Sequence, residues 1–186
     1  MRAAILLAAG ASRRFGSRDK LKARLGRRNL LEHTLANARA SGACRVILVT
    51  AARVRLAGVT HVHAVRAREG LSFSLSAGLA ALRPIEREVL IFLADMPFAS
   101  APRLRLAAGV DAVRPRFRGQ PGHPLLVRAA VAKARLGRGD KGLAGALRVR
   151  FVPGTAAHLI DIDTPEALRR ARRHGSRGFR PRSTAD

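Results

Sequence analysis

The chain has 186 residues with 47% hydrophobic content, and its 36 Lys and Arg against 12 Asp and Glu give a formal net charge of +24. This size allows one domain with a well-buried core and is too small for two. No apolar run approaches membrane-spanning length, and a single cysteine, Cys44, excludes an internal disulfide and a thiolate zinc cluster. These absences favour a cytoplasmic protein that does not contact a membrane.

The large positive charge raises a competing hypothesis, that of a nucleic-acid-binding protein. However, the chain has no Trp or Tyr and only seven Phe, and its cations are spread from Arg2 to Arg182. Aromatic side chains provide the surfaces on which single strands stack. The composition therefore predicts salt-sensitive adhesion to polyanions without specific nucleic-acid recognition.

An apolar segment at residues 3–8 is followed at once by a loop that is rich in glycine and basic residues. The segment has the length of a buried strand. Because Gly10 and Gly16 lack a Cβ, the loop backbone can turn sharply and bring its N–H groups against a bulky anion. Arg14 and Lys20 add full positive charges. This arrangement predicts a site for a nucleoside triphosphate.

Two common phosphate-binding motifs are excluded in this loop. The dinucleotide fingerprint requires a glycine where Ser12 stands, and the P-loop requires Gly-Lys-Ser or Gly-Lys-Thr where the chain has Phe15, Gly16 and Ser17.

The next elements follow a strand-helix-strand order. Helical spacing of apolar residues predicts a helix over residues 30–40 that is closed by Gly42, and residues 45–50 form the second buried strand. Together with the first strand they make a parallel βαβ unit. Alternation predicts a third strand at residues 59–65, and a helix follows over residues 69–82.

The most hydrophobic strand, residues 88–94, should lie at the centre of the sheet and is followed directly by Asp95. Ligands of α/β sheets bind at the carboxyl ends of parallel strands. Because Mg²⁺ takes one or two carboxylates together with phosphate oxygens, Asp95 is predicted to be a magnesium ligand. The alternative is a turn-forming or capping role before Pro97.

The second half of the chain is predicted to add a short helix at residues 102–109, a strand at residues 110–114 and a Gly- and Pro-rich turn at residues 118–124. His123 lies in that turn, with a purely structural role as the alternative. A further helix is predicted to start near Asp140, which would be its cap.

A last strand is predicted at residues 158–162, followed by a helix that starts at Pro165 and ends at Arg173. Asp161 and Asp163 would share a face of the strand end, where one of them could complete the magnesium site. The alternative for Asp163 is a helix cap. The element order predicts a three-layer, doubly wound, mostly parallel α/β fold of Rossmann-like type over residues 1–173, with a basic, disordered tail at residues 174–186.

Three motifs of the chain resemble those of the MobA-like nucleotidyltransferases, which include the enzymes that attach CMP or GMP to the molybdenum cofactor. The first motif, LAAG-x-S-x-R-x-G followed by Lys, is matched by Leu7, Ala8, Ala9, Gly10, Ser12, Arg14, Gly16 and Lys20. The second is Leu-Ala-Asp-x-Pro around Asp95, and the third is Asp-x-Asp-Thr-Pro-Glu from Asp161. In addition, Gly70, Ser74 and Gly78 match a segment that lies near the base and ribose in that family.

The resemblance implies transfer of a nucleotide to a phosphorylated acceptor, most simply CMP from CTP to molybdopterin, with Mg²⁺ as the cofactor and release of pyrophosphate. It implies that Lys20 and Arg14 are catalytic, that the remaining residues of the first motif together with Ser74 and Gly78 bind the nucleotide, and that His123 borders the acceptor.

The resemblance leaves the choice of substrates open. The Gly-His-Pro triplet at His123 is similar to the CTP-using branch, whereas Asp19-Lys20 and the Asp-Met-Pro-Phe segment at Asp95 are similar to the GTP-using branch. Sugar or alditol phosphates are alternative acceptors, because Ser76 stands where a cation is common and the segment at residues 99–109 is short. A molybdoenzyme or its chaperone is the further partner that the resemblance implies.

Overall fold

The computed structural model describes residues 1–10, 15, 20–52, 56–101, 104–143 and 147–175. The strands in this part of the chain are β1 (Arg2–Ala8), β2 (Arg24–Leu25), β3 (Arg28–Asn29), β4 (Arg45–Thr50), β5 (Thr60–His63), β6 (Glu88–Leu93), β7 (Ala112–Phe117), β8 (Gln120–Pro121), β9 (Leu125–Arg128) and β10 (Val149–Pro153). The α-helices are α1 (Leu30–Ala40), α2 (Leu71–Ala80), α3 (Ala129–Ala134) and α4 (Pro165–Gly175).

The main sheet has the strand order β10-β7-β9-β6-β1-β4-β5, with β8 paired to β7. The pairs β1–β4, β1–β6, β4–β5 and β7–β10 are parallel, whereas β9 is antiparallel to both β6 and β7. The predicted α/β fold with a mostly parallel sheet is therefore confirmed. Because β9 runs against its neighbours, it begins at the edge of the sheet at which β6 ends.

Both faces of the sheet are buried, which explains why its central strands are continuous apolar runs. Alternate residues of β1 point to opposite faces, and residues 3–8 are at most 8% exposed. One face packs against α2 and α3 through a cluster that includes Ala3, Ile5, Leu7, Leu75, Leu79 and Ala132. The other packs against α1 through a cluster that includes Ala4, Leu6, Ala8, Leu35 and Ala38.

The bounds of α1 follow from local signals. Asn29 accepts a hydrogen bond from the N–H of Glu32 and donates its own N–H to the Glu32 carboxylate, both at 2.8 Å, which forms a capping box. Gly42 has a φ of +75°, the left-handed conformation that the sequence predicted for the residue closing this helix.

Two predicted elements are wrong in the second half of the chain. Residues 104–109 form no helix, and residues 102–103 lie outside the described residues. The segment 158–162 is not a strand, because Ile160 and Ile162 pack into a separate cluster with α4, and the strand that completes the sheet is β10 instead. The helix α4 extends to Gly175, past the predicted domain boundary at 173, and residues 176–186 of the predicted tail lie outside the described residues.

Within the described residues, no helix combines the length and the apolar composition that a membrane crossing requires.

Candidate active site

A cavity of about 610 Å³ opens at the edge of the sheet where β1 and β6 end. This volume lies within the range of small-ligand pockets. Charged and small residues line it, together with a few leucines: Leu7, Ala9, Gly10, Lys20, Ala67, Arg68, Glu69, Gly70, Leu71, Ser74, Leu93, Asp95, Asp140 and Asp163. Gly10, Lys20 and Asp95, which the sequence predicted to meet over one ligand, therefore face the same space.

Asp95 is held at the end of β6 by the sheet and by a tight turn. The N–H of Ala94 donates to the carbonyl of Leu7 at 3.0 Å, and the N–H of Met96 donates to the carbonyl of Leu93 at 3.1 Å. The carboxylate Oδ2 accepts from Lys20 Nζ at 2.8 Å. The second oxygen, Oδ1, is buried without a hydrogen-bond partner among the described residues. A buried acceptor without a partner costs free energy, and a bound cation or hydrogen-bond donor would remove that cost.

Lys20 lies at the start of a 3-10 helix, Lys20–Lys22, and is only 6% exposed. Its ammonium group donates to Asp95 and also to Asp163. Burial by itself lowers the pKa of Lys20, but the charges and hydrogen bonds of Asp95 and Asp163 outweigh it and raise the pKa above the ordinary value. Lys20 is therefore a fully charged cation inside the cavity.

Asp161 and Asp163 reach the same place from the segment between β10 and α4. Ile162, which lies between them, is completely buried, and its N–H donates to the carbonyl of Asp95 at 3.0 Å. Thr164 caps α4 by accepting from the N–H of Ala167 at 3.1 Å. Asp163 was predicted to be the alternative cap of this helix, and the structure shows that Thr164 caps it instead. The two acids meet Asp95 as predicted, although no strand places them there.

Asp95, Asp161 and Asp163 form a cluster in which one carboxylate oxygen of each residue lies within 4.8 Å of those of the other two. Partial burial raises the pKa of Asp161 to about 7, with further contributions from the negative charges of Asp95 and Asp163. Three crowded carboxylates and the unpartnered Asp95 Oδ1 form an all-oxygen donor set. Such a set suits a hard divalent cation such as Mg²⁺ or Mn²⁺.

The opposite wall of the cavity is the start of α2. Gly70 has a φ of +128°, and a Cβ there would overlap the backbone of Gly139. Glycine is therefore required for the 3-10 turn Gly139–Lys141 to lie against the helix start. Asp140 lies within this turn and accepts from the N–H of Leu71, the first residue of α2, at 3.4 Å, so the prediction that it caps a following helix is wrong.

Only some of the predicted nucleotide-binding residues line the cavity. Leu7, Ala9, Gly10 and the buried Ser74 line the cavity. Ala8 points to the face of the sheet that α1 covers. The predicted residues Ser12, Arg14 and Gly16 lie outside the described residues.

Gly78 is not among the residues that line the cavity. A Cβ at this position would come within 2.8 Å of Ile5 Cγ2 and 3.1 Å of Val49 Cγ2. The close approach that this glycine permits is thus between α2 and the strands β1 and β4. Packing of helix on sheet accounts for it without a nucleotide.

His123 lies immediately before β9, at the same edge of the sheet as Asp95 but outside the cavity lining. Its N–H donates to the carbonyl of His158 at 2.9 Å, its peptide bond to Pro124 is cis, and its ring Nδ1 is buried without a partner among the described residues. Burial, together with the nearby charge of Arg114, lowers the pKa of His123 to about 4. The imidazole is accordingly neutral near pH 7.

Sequence reasoning missed Arg68 and Glu69, which line the cavity next to Gly70. The only local signal was their position, since Arg68 directly precedes the predicted helix and Glu69 is its first residue. In a chain with 36 basic residues, an arginine at such a position does not stand out from its neighbours.

A mostly parallel sheet that brings Gly10, the buried Lys20 and the carboxylates of Asp95 and Asp163 to one cavity is the arrangement expected of a nucleotidyltransferase. The sequence profile of the MobA-like NTP transferase domain matches residues 4–155, and the chain belongs to this family. A search of curated protein sequences found no match.

Solved structures share this fold over nearly the whole chain. A Mycobacterium sp. strain JC1 homologue of Rv0371c from Mycobacterium tuberculosis is 27% identical with a TM-score of 0.78, covering 95% of this chain and 99% of that one. Rv0371c itself, in complex with manganese, is 26% identical with a TM-score of 0.73, covering 92% and 97%. Molybdopterin-guanine dinucleotide biosynthesis protein A from Archaeoglobus fulgidus shares the fold at 20% identity and a TM-score of 0.70, covering 95% and 100%.

Proposed function

We propose that this nucleotidyltransferase is Mg²⁺-dependent and transfers CMP from CTP to the phosphate of a molybdopterin-type acceptor, releasing pyrophosphate. The observation that carries the proposal is the convergence of Lys20 and the carboxylates of Asp95 and Asp163 on one cavity beside Gly10. A triphosphate needs cations and backbone donors, and a divalent ion needs carboxylates. Among the described residues, Lys20 and Arg68 supply cations to this cavity, and Asp95 and Asp163 supply carboxylates.

In the proposed reaction, an oxygen of the acceptor phosphate attacks the α-phosphorus of the nucleotide. The new P–O bond forms as the bond from the α-phosphorus to the bridging oxygen breaks, and pyrophosphate leaves with that electron pair. A phosphomonoester has a second pKa near 6, so the nucleophile is already deprotonated at neutral pH and needs no general base. This suits a cavity whose described lining supplies cations and carboxylates.

The chain's own residues would act by placement and charge neutralisation. Asp95, with Asp161 or Asp163, would hold Mg²⁺, which when bound neutralises charge on the phosphate oxygens. Lys20 would contact the triphosphate together with the N–H groups that follow Gly10. Ser74, which is buried and lines the cavity, would contact the sugar or the base.

The choice of CTP and of molybdopterin rests on the sequence motifs alone. The GTP-dependent reaction and the transfer to a sugar or alditol phosphate are the alternatives. The roles of Arg14, Ser12 and Gly16, the acceptor-side role of His123, and a molybdoenzyme or chaperone partner stay predictions.

The test is an assay of the purified chain with each α-labelled nucleoside triphosphate, Mg²⁺ and molybdopterin, in which release of pyrophosphate and labelling of the acceptor are both measured. We expect turnover with CTP above that with GTP. Lys20→Ala or Asp95→Asn should reduce turnover by at least about a hundredfold, because each removes a charge that acts in the transition state.

Asp111→Asn is the matched control. Asp111 is also an aspartate in an ion pair, with Arg148 at 3.0 Å, but it precedes β7 and does not line the cavity. Its replacement should leave turnover unchanged. Absence of turnover with every triphosphate and acceptor, together with tight sequence-independent DNA binding at physiological salt, would contradict the proposal.

A further inference from the structure

The ammonium group of Lys20 occupies the place among the carboxylates that a divalent cation would need. It lies 2.8 Å from Asp95 Oδ2 and donates to Asp163 Oδ1, and both of these acids belong to the three-carboxylate cluster. The Lys20 side chain is only 7% exposed, so solvent screens these contacts little. The ammonium group of Lys20 therefore already neutralises part of the negative charge of Asp95 and Asp163.

We propose that Lys20 and the divalent metal ion are alternative cations for the carboxylates of Asp95 and Asp163. Metal binding would displace the ammonium group from these oxygens toward the open cavity, where it becomes available to the triphosphate. The structure supports this direction of movement, because Lys20 lines the cavity beside Gly10. This inference rests on the proposed function only for the identity of the anion that receives the released ammonium.

The displacement has an electrostatic reason. Two positive centres that share the same carboxylate oxygens repel each other strongly at short distance in a partly buried site. The metal ion cannot gain the full attraction of Asp95 and Asp163 while Lys20 remains bound to both. Without Lys20, the crowded carboxylates would lose their internal counter-charge and would bind a divalent ion more tightly.

The first experiment measures the affinity for Mn²⁺ alone, without nucleotide, by electron paramagnetic resonance of the free ion. We expect Lys20→Met to bind Mn²⁺ about tenfold more tightly than the wild type, as the loss of one cation within about 4 Å implies. Lys20→Arg keeps the charge and should bind within about twofold of the wild type. Equal or weaker binding by Lys20→Met would overturn the proposal.

Lys22→Met is the matched control for a general charge effect. Lys22 belongs to the same 3-10 helix but is exposed and does not line the cavity. Its removal changes the net charge by the same amount, so Mn²⁺ affinity should change by less than about twofold. A gain as large as that of Lys20→Met would show that net charge, and not competition at the carboxylates, controls the affinity.

The second experiment follows the ammonium group in the wild-type protein during a metal titration, and a variant is needed only to assign its signal in metal-free protein. The chain contains only four lysines, Lys20, Lys22, Lys133 and Lys141, so selective labelling at lysine Cε gives four NMR signals. The Lys20 signal is assigned by its absence in Lys20→Met. Titration with diamagnetic Mg²⁺ should shift this signal and leave those of Lys133 and Lys141 in place.

A Lys20 signal that does not move at saturating Mg²⁺ would mean that the ammonium stays on the carboxylates, and the proposal would be wrong. These readouts separate the inference from the catalytic proposal. Competition between Lys20 and Mn²⁺ without any nucleotidyl transfer would contradict the proposed function alone. Transfer activity with no effect of Lys20 on metal affinity would contradict the competition alone.

Discussion

The backbone N–H of Ile162 donates to the backbone carbonyl of Asp95 at 3.0 Å, and this bond joins the two parts of the chain that carry the acidic cluster. Asp95 follows the central strand β6, whereas Asp161 and Asp163 lie on either side of Ile162 in an irregular segment. The Ile162 side chain is fully buried with Leu30, Leu168 and other members of a small apolar cluster. Apolar packing therefore fixes the position of two charged candidate ligands.

Replacement of Ile162 by Ala should damage the candidate metal site as well as the fold. The substitution leaves a cavity in the small cluster, with a loss of about 2 to 5 kcal/mol of unfolding free energy. Because the flanking carboxylates depend on this anchor, we also expect Mn²⁺ affinity to fall by about tenfold, as it does when outer-shell support of a ligand is lost. Urea denaturation and Mn²⁺ titration of the folded variant measure the two effects.

Leu168→Ala is the control for the Ile162 variant. Leu168 belongs to the same cluster and is 6% exposed, but it lies within α4 and has no carboxylate on either neighbouring residue. A similar loss of stability with unchanged Mn²⁺ affinity is expected. If both variants weakened Mn²⁺ binding equally, the anchoring role of Ile162 would be refuted.

The sequence indicated that Lys20 and Asp95 lie at the same edge of the sheet, because both follow strong local signals. Lys20 and Asp95 were expected to meet since each follows a buried parallel strand, β1 or β6, and strands of this kind end at one edge. The bounds of α1 were expected because the spacing of its apolar residues and the closing glycine agree.

What the sequence did not predict depends on contacts between distant segments. Ile160 and Ile162 alternate as strand residues do, but their apolar partners, which include Leu25, Leu30 and Leu168, belong to a small cluster outside the main sheet. The requirement for glycine at position 78 comes from Ile5 and Val49, which lie far away in the chain. The role of Asp140 likewise depends on the packing of its turn against Leu71.

Asp161 should make the metal-free protein less stable as the pH rises. Its pKa in the folded protein is raised to about 7 from an ordinary value of 3.8, so the unfolded chain releases this proton first. The stabilising effect of the proton is present below about pH 4 and is lost as the pH rises through 7. In EDTA, Asp161→Asn should melt at a higher temperature than the wild type at pH 8, with the difference vanishing near pH 4.

Asp111→Asn should give the opposite result. Hydrogen bonds from Arg148 lower the pKa of Asp111 to about 2 from 3.8, so the ionised carboxylate stabilises the fold above about pH 4 and this effect is lost as the pH falls through 2. The variant should melt below the wild type at pH 8. If Asp161→Asn melted at or below the temperature of the wild type at pH 8, the assignment of the raised pKa to Asp161 would be wrong.

His123 should make the protein sensitive to mild acid. Burial depresses its pKa to about 4 from the ordinary 6.5, so the unfolded chain takes up the proton first as the pH falls. The stability that the neutral imidazole provides is complete above about pH 6.5 and is lost as the pH falls through 4. The melting temperature of His123→Asn should decline less steeply than that of the wild type between pH 6.5 and 4. Parallel melting curves across this interval would exclude the depressed pKa.

Gly70→Ala should disturb the wall of the cavity that the start of α2 provides, because a Cβ there would overlap the backbone of Gly139 and φ is +128°. The turn carrying Asp140 would have to move, so we expect the affinity for CTP in the presence of Mg²⁺ to fall by at least about tenfold in calorimetric titration.

Gly109→Ala is the matched control. Gly109 also has a positive φ, +71°, but no heavy atom of the described residues lies within 4 Å of the place that an alanine Cβ would take. That variant should lose about 1 to 2 kcal/mol of unfolding free energy from backbone strain and retain its CTP affinity. Equal CTP affinity in the two variants would mean that the contact between Gly70 and Gly139 does not shape the nucleotide site.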